Sequence, residues 1–112
     1  MSFFDSDIIR EELEEISEIQ RRLVKISPKM PFMENEELVK YFDSIIDLIE
    51  KQKIFYARLQ FSEDPEAQKA KRDMTETAIM LGMPVDGSVM ELYNSYIEYL
   101  RQMREDALQG KI

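Results

Sequence analysis

The sequence contains neither cysteine nor histidine among its 112 residues. Without cysteine there is no disulfide, no thiol nucleophile and no cysteine-ligated metal. Without histidine the chain also lacks the side chain that most often serves as a general base near neutral pH, and a principal zinc ligand. These absences argue against an enzyme, and we predict a non-enzymatic protein without a cofactor or a metal.

Glycine and proline are scarce, with three and four copies, so long regular elements are favoured over many turns. Long apolar runs are missing too, since no segment approaches the roughly 18 apolar residues of a membrane span. The first residues, MSFFDSD, carry acids where a signal peptide carries positive charge. We therefore expect a cytoplasmic protein that makes no membrane contact.

Basic residues are outnumbered, with 15 against 23 acids, and the net charge is −8. A field of this sign repels phosphate backbones and anionic membranes. The best basic patch, KAKR at 69–72, is short, lies between Glu66 and Asp73, and has no interleaved aromatic residues. The composition therefore predicts no direct nucleic-acid contact and favours a protein partner with a basic surface.

The acids are concentrated near the N-terminus, where residues 5–18 hold seven acids and one base. Acids at a helix start complement the helix dipole, which is the simpler explanation. The alternative is an acidic docking face that steers a basic partner. A bundle metal site is not expected, because Glu-x-x-His motifs cannot form without histidine. If the acids dock a partner, the candidate residues are Glu11, Glu12, Glu15 and Glu18.

Hydrophobic periodicity predicts an all-α fold with four helices in one domain, spanning about 6–27, 36–61, 65–81 and 89–108. Apolar residues seven apart define the first helix, with Asp5 as N-cap, Phe4 and Ile9 as a hydrophobic staple, and Pro28 as its end. The chain beyond the fourth helix is expected to fray. The predicted architecture is a helical hairpin or bundle dominated by the long second helix.

The second helix is apolar over more than half its circumference and would reach roughly 39 Å. It is therefore expected to be central or to be buried by a second chain, and we predict a homo-oligomer. The third helix, capped by Asp64 before Pro65, has only a thin stripe of small residues. Such a stripe suits either close packing or marginal docking. Gly82 and Pro84 are predicted to end it, and Ser88 with Glu91 to cap the fourth helix.

Two further groups are candidate contacts with a partner. Met30, Phe32 and Met33, in the connection PKMPFME, either cover one end of the core or form an exposed anchor. Tyr96 and Tyr99 cannot both share the stripe of Tyr93, so at least one ring is expected at the surface. Core packing and an interface both remain open for these tyrosines.

Three stretches, FFDSDIIREELEEI, EKQKIFYARLQFSEDPEA and AIMLGMP, resemble a family of small uncharacterised helical proteins from cyanobacteria and their phages. The resemblance implies a non-catalytic protein that binds ribonuclease E and restrains it. The alternative is a self-assembling structural or accessory protein of phage origin. The shared central block offers a rival site, consisting of Lys51, Lys53, Phe55, Tyr56 and Arg58.

Overall fold

The computed structural model describes residues 3–80 and 89–112, with the side chains of residues 77–79 outside the description. Within these ranges the chain forms four α-helices and no strand, which confirms the predicted all-α fold. The helices are α1 (Asp7–Ile26), α2 (Asn35–Phe61), α3 (Pro65–Met80) and α4 (Val89–Leu108). Short 3₁₀ segments occupy Phe3–Asp5 and Ser27–Phe32.

Helix α2 is the centre of the fold, because α1, α3 and α4 all pack on it. Helix α1 runs antiparallel to it, because Glu12 pairs with Arg58 whereas Ser27, just after α1, contacts Tyr41. Helix α4 does so too, because Arg101 pairs with Glu50 and Arg104 with Asp43. In the described part of the chain, α1 and α4 make little contact with each other. The strip of α2 that lies between them is therefore left without a covering helix.

Two apolar clusters hold the helices together. The first joins all four helices and includes Leu59, which is 0% exposed; its buried members are Ile9, Ile16, Phe55, Tyr56, Leu59, Ala67 and Val89. The second joins α2 to α4 through Leu38, Phe42, Leu100 and Ala107. Because α2 supplies buried residues to both clusters, its long apolar surface is explained largely by its central position within one chain.

The start of α1 differs from the sequence prediction. Ser6, with an extended backbone, is the N-cap residue, and its carbonyl accepts the Arg10 amide at 3.0 Å. The prediction of Asp5 as N-cap, and of a staple between Phe4 and Ile9, is therefore wrong. The cause is tertiary, because Phe3 packs on Phe55 with ring centroids 6.0 Å apart. This contact holds Phe3–Asp5 in a separate 3₁₀ turn.

The connection between α1 and α2 is also more regular than predicted. Helix α1 ends at Ile26, but the chain continues as a 3₁₀ helix through Phe32, with Pro28 in its first turn and Pro31 inside it. The Ser27 hydroxyl donates to the Leu23 carbonyl at 2.7 Å and lies 3.0 Å from the Tyr41 hydroxyl. Pro28 is tolerated because it lacks only an amide donor that the first turn does not use.

Helix α3 begins as the sequence predicts. One oxygen of Asp64 accepts the Glu66 amide at 2.9 Å, so Asp64 caps a helix whose first residue is Pro65. Its other carboxylate oxygen accepts the backbone amide of Phe3. Ala67 is fully buried against the first cluster, which explains why small residues face inward here. The predicted helix end at Gly82 and Pro84, and the capping box from Ser88, lie outside the described residues.

The C-terminal end of α4 is tied down, and the predicted fraying is corrected. Gly110 has a φ of 70°, its amide donates to the Ala107 carbonyl at 3.1 Å, and the Lys111 amide donates to the Asp106 carbonyl at 2.8 Å. This pair of bonds is a Schellman motif, which satisfies carbonyls that a helix end otherwise leaves free. A Cβ at Gly110 would lie 3.3 Å from the Asn35 side-chain amide, so the motif sits against the start of α2.

Replacing Gly110 with alanine is expected to lower the free energy of unfolding by about 1 kcal/mol, because a Cβ is strained at a positive φ. Urea unfolding followed by circular dichroism measures the change. Gln109→Ala is the matched control, since that exposed residue precedes the left-handed position. Equal stability of both variants and the parent would contradict the assignment of a Schellman motif.

Candidate protein-interaction surface

Large apolar side chains are exposed at many points of the surface. Single exposed apolar residues are ordinary, and only clusters indicate a binding site. The exposed residues are Ile8, Val24, Met30, Phe32, Ile54, Phe61, Met80, Tyr96, Tyr99, Leu108 and Ile112. Two of these, Ile54 and Phe61, lie on the uncovered strip of α2.

The uncovered strip of α2 carries an apolar ridge, which we define as Ile54, Ala57 and Phe61. Spacings of three and four residues place the three side chains on one side of the helix. Ile54 is 54% exposed and Phe61 is 87% exposed, so the ridge projects outward. It arises because α1 and α4 cover the two flanks of α2 and neither covers the strip between them.

A groove of about 510 Å³ runs along the ridge on the side of α1, and we call it the ridge groove. Phe3, in the 3₁₀ turn before α1, and Ile9 of α1 form the wall on that side, which we call the α1 wall. The three ridge residues form the opposite wall together with Arg58 and with Ser62, which follows the last residue of α2. A second groove of about 300 Å³ lies on the side of α4 and shares Ile54. Ile54 therefore stands between a largely apolar depression and one lined mostly by charged and polar residues.

Acids of α1 lie beyond the edge of the ridge groove, whose lining carries one charged residue, the cation Arg58. The Glu12 carboxylate accepts the Arg58 Nε donor at 2.8 Å, which fixes both side chains at the edge of the groove. Ile8 and Glu15, four residues before and three after Glu12, lie on the same side of α1. Glu11, Glu15 and Glu18 are exposed, whereas Glu12 is half-buried in its ion pair. Of the four predicted acids, the structure leaves three open to solvent.

The other candidate residues are distributed over separate surfaces. Phe32 is 86% exposed and Met30 is 37% exposed, but Met33 packs against the second core cluster. Core packing therefore explains Met33, whereas Met30 and Phe32 remain exposed. Tyr96 and Tyr99 are exposed and stacked, with centroids 6.4 Å apart. The structure does not bring either group to the ridge groove.

The rival site on α2 is divided between core and surface. Phe55 and Tyr56 are buried in the first cluster, and Lys51 and Arg58 form ion pairs with Asp47 and Glu12. Burial, and to a lesser extent the charge of Tyr56, raises the pKa of Tyr93, whose ring lies 6.0 Å from that of Tyr56. The aromatic part of the block is therefore packing.

Neither a metal site nor a membrane-spanning helix is found in the described ranges. No group of three or more acids there is placed to hold a metal ion. Within the same ranges, each helix is too short or too polar to cross a bilayer.

Comparison with known proteins identifies the family of the chain. A family model described as "Domain of unknown function (DUF1825)" matches residues 1–107. The chain belongs to the DUF1825 family. Comparisons with curated proteins and with solved structures found no match. The resemblance to an uncharacterised family is thereby confirmed at the level of the family.

The ridge of this DUF1825 chain was not singled out by the sequence analysis. Two rows of mainly apolar residues predict the core face of α2, one from Leu38 to Leu59 and the other from Val39 to Phe55. Ile54 and Phe61 belong to neither row. A usable signal was present, because two large apolar residues seven apart, outside both core rows, must share an exposed side. Only the packing of α1 and α4 shows that this side stays open.

Proposed function

We propose that this chain is a non-enzymatic protein-interaction module that binds a basic protein surface in the cytoplasm. The supporting observations are the exposed apolar ridge on α2 and the exposed acids of α1, Glu11, Glu15 and Glu18. Exposed aromatic and aliphatic side chains supply most of the binding energy of protein interfaces, while charges around them set the encounter rate and orientation. The ridge supplies apolar side chains of the first kind, and the exposed acids of α1 supply charges of the second kind.

The net charge of −8 sets the kind of partner. The acids of α1 repel the phosphate backbone of a nucleic acid and attract a basic protein surface. A nuclease that binds RNA through a basic channel has such a surface. Direct nucleic-acid binding is therefore not part of the proposal.

Inhibition of ribonuclease E is the specific form of this proposal. It rests on the resemblance to cyanobacterial and cyanophage proteins, since the DUF1825 family carries no assigned function. An acidic helical surface that occupies a basic RNA-binding channel would compete with RNA for that channel. Such inhibition should weaken as salt screens the charges.

Adding this chain is expected to slow the cleavage of a short RNA by ribonuclease E, and replacing Glu11, Glu15 and Glu18 together by glutamine should weaken the inhibition about tenfold. The reason is the loss of three exposed charges that steer the encounter. Initial cleavage rates across a protein titration, at two salt concentrations, measure the effect.

The matched control replaces Glu37, Glu76 and Glu105, exposed acids outside α1 and outside the lining of the ridge groove, by glutamine. This variant changes the net charge by the same three units and should inhibit like the parent. Equal weakening of the inhibition in both triple variants would show that it depends only on the net charge of the chain. Unchanged cleavage at micromolar protein would exclude ribonuclease E as the target.

A self-assembling accessory or structural protein of phage origin is the alternative function. The stacked pair Tyr96 and Tyr99, far along the chain from the ridge, favours it, because a second exposed aromatic surface gives a homo-oligomer more than one contact. Light scattering over a concentration series tests it. A mass that stays at one chain, 13.3 kDa, up to high concentration would rule out self-assembly.

A further inference from the structure

We propose that one exposed side of α1 binds the same side of a second copy of this chain, with the two helices antiparallel. The residues of this side are spaced alternately three and four positions apart, and we name them the α1 stripe. They are all exposed, and they are Ile8, Glu11, Glu15, Glu18, Arg22 and Lys25, continued by Lys29 and Phe32 in the 3₁₀ segment. The inference goes beyond the proposed function, because it concerns contact between copies of this chain.

The order of charges along the α1 stripe selects a second copy as the occupant. Three acids are followed by three bases, so the stripe as a whole carries no net charge. A uniformly basic surface would be attracted to the first half of the stripe and repelled by the second half, and an acidic surface would behave in the opposite way. The same stripe turned end to end presents a base opposite each acid. A second copy related by a twofold axis supplies that arrangement.

A twofold axis at the level of Gln20 along α1 brings opposite charges together. Glu18 and Arg22 lie two positions on either side of Gln20, and Glu15 and Lys25 lie five positions on either side. At 1.5 Å per residue, the two pairs are about 3 Å and 7.5 Å from the axis. Each acid therefore faces the base of the second copy that lies at the same distance from the axis. Each pair occurs twice in the dimer.

The two ends of the α1 stripe are apolar and follow the same symmetry. Ile8 and Phe32 lie twelve positions on either side of Gln20, and they are 58% and 86% exposed. Phe32 and Lys29 share one side of the 3₁₀ segment, because residues three apart eclipse in such a helix. Exposed ion pairs add little binding energy, whereas burial of large apolar side chains adds more. The apolar ends therefore supply affinity, and the charges set the register.

Segregated charges destabilise α1 within a single chain. Glu11 and Glu15 are four positions apart, and Arg22 and Lys25 are three apart, which places like charges side by side on the helix. None of these four forms an ion pair within the described part of the chain, whereas Arg58 does. The helix dipole acts only in the first and last turns, so it explains Lys25 but not Glu15 or Arg22. Opposite charges from a second copy would offset the repulsion.

The net charge of −8 does not forbid this contact. Because the α1 stripe is neutral, all of the excess acid lies elsewhere in the chain. Charges more than about 8 Å apart are largely screened at physiological salt, whereas facing side chains of the stripe are closer than that. Net charge and the stripe also predict opposite effects of one substitution. Replacing an acid of the stripe by lysine lowers the overall repulsion between copies but places like charges at the contact.

Reversal of a single charge in the stripe tests the pairing. Glu15→Lys and Lys25→Glu each place like charges at two symmetric positions of a dimer. Each should raise the dissociation constant, measured by sedimentation equilibrium at physiological salt, by roughly tenfold or more. The matched controls are Glu76→Lys and Lys69→Glu, which make the same changes of charge at exposed positions of α3. Both controls should dimerise like the parent, and circular dichroism should show the parent helix content in all four variants.

An equimolar mixture of the Glu15→Lys and Lys25→Glu chains is the decisive measurement. In a mixed dimer, position 15 of each chain again faces the opposite charge at position 25 of the other chain. The mixture should therefore dimerise with the affinity of the parent, although each variant alone stays largely monomeric. No association in the mixture would overturn the proposal. A parent mass of one chain, 13.3 kDa, at concentrations up to about 1 mM would overturn it as well.

The apolar ends are tested separately from the charges. Phe32→Ser should weaken dimerisation about tenfold, because the dimer loses this side chain twice. Val24→Ser is its control, since Val24 is 73% exposed on α1 but lies outside the stripe, and it should dimerise like the parent. A dimer that survives Glu15→Lys but dissociates on Phe61→Ser would place the second copy on the ridge of α2. That result would overturn the assignment to the α1 stripe.

The ribonuclease assay separates this inference from the proposed function. Lys25→Glu leaves Glu11, Glu15 and Glu18 in place, and as a monomer it should slow cleavage at least as well as the parent. If the parent dimerises as described but cleavage is unaffected, the ribonuclease proposal alone is contradicted. If cleavage is slowed but the parent stays monomeric, the α1 stripe alone is contradicted.

Discussion

Replacing Leu59 with alanine is expected to lower the free energy of unfolding by about 2–5 kcal/mol. Leu59 is 0% exposed and lies in the cluster that joins all four helices. Removing its side chain loses the transfer energy of the buried carbons and leaves a cavity, because helices packed from several directions cannot all move in to close it. Thermal and urea unfolding of the purified variant measure the loss.

Phe61→Ala is the matched control, since it removes a larger apolar side chain two residues along the same helix. Phe61 is 87% exposed, so its truncation should change the free energy of unfolding by no more than about 0.5 kcal/mol. A large loss of stability in this variant would mean that Phe61 is covered in solution, by a second chain or by a segment outside the described residues. Equal losses in both variants would refute the description of the core.

Replacing Asp64 with alanine is expected to cost about 2 kcal/mol, because one carboxylate serves two distant parts of the chain. It caps α3 through the Glu66 amide, and it accepts the amide of Phe3, which is 61 positions away in sequence. The loss would free the N-terminal 3₁₀ turn and loosen the first turn of α3 together. Urea unfolding measures the cost, and amide hydrogen exchange at Phe3 and Glu66 locates it.

Asp64→Asn separates the two contributions. Its amide oxygen can still cap α3, but its nitrogen cannot accept the Phe3 amide. The variant should therefore keep most of the stability of the helix start while exchange at Phe3 becomes faster. Protection of Phe3 equal to that of the parent would show that the N-terminal turn is held by the packing of Phe3 on Phe55 alone.

These two sites explain how a chain this short positions an exposed ridge. Leu59 and Asp64 lie on either side of Phe61, one in the core and the other at the turn into α3. The contact of Asp64 with Phe3 holds the α1 wall of the ridge groove against the end of α2. The groove thus depends on the same contacts that stabilise the fold.

The family assignment gives the chain its relatives but no activity. The match covers residues 1–107, which includes all the helices of the described chain almost to the C-terminal Schellman motif. Its description leaves the function open, so the interaction proposal depends on the ridge and on the exposed acids of α1. Variants at Ile54 and Glu15 therefore test that proposal directly.

The sequence by itself determined the helices. Apolar periodicity, the scarcity of glycine, and the Asp64-Pro65 start are local properties, and a helix depends mainly on neighbours three and four positions away. For that reason the boundaries predicted for all four helices agree with the structure within a residue wherever the chain is described. The same local information missed the Schellman motif at Gly110, although a glycine after a helix was a usable signal.

Only the tertiary structure decided which surfaces remain open. Periodicity shows that α2 is apolar on several sides, but it does not say which side α1 and α4 leave uncovered. Likewise, nothing local to Glu12 predicts its ion pair with Arg58, and nothing local to Ser6 predicts that Phe3 would pack on Phe55 and shift the N-cap. The physical reason is that these outcomes join residues about 50 positions apart, and such contacts depend on how whole helices pack.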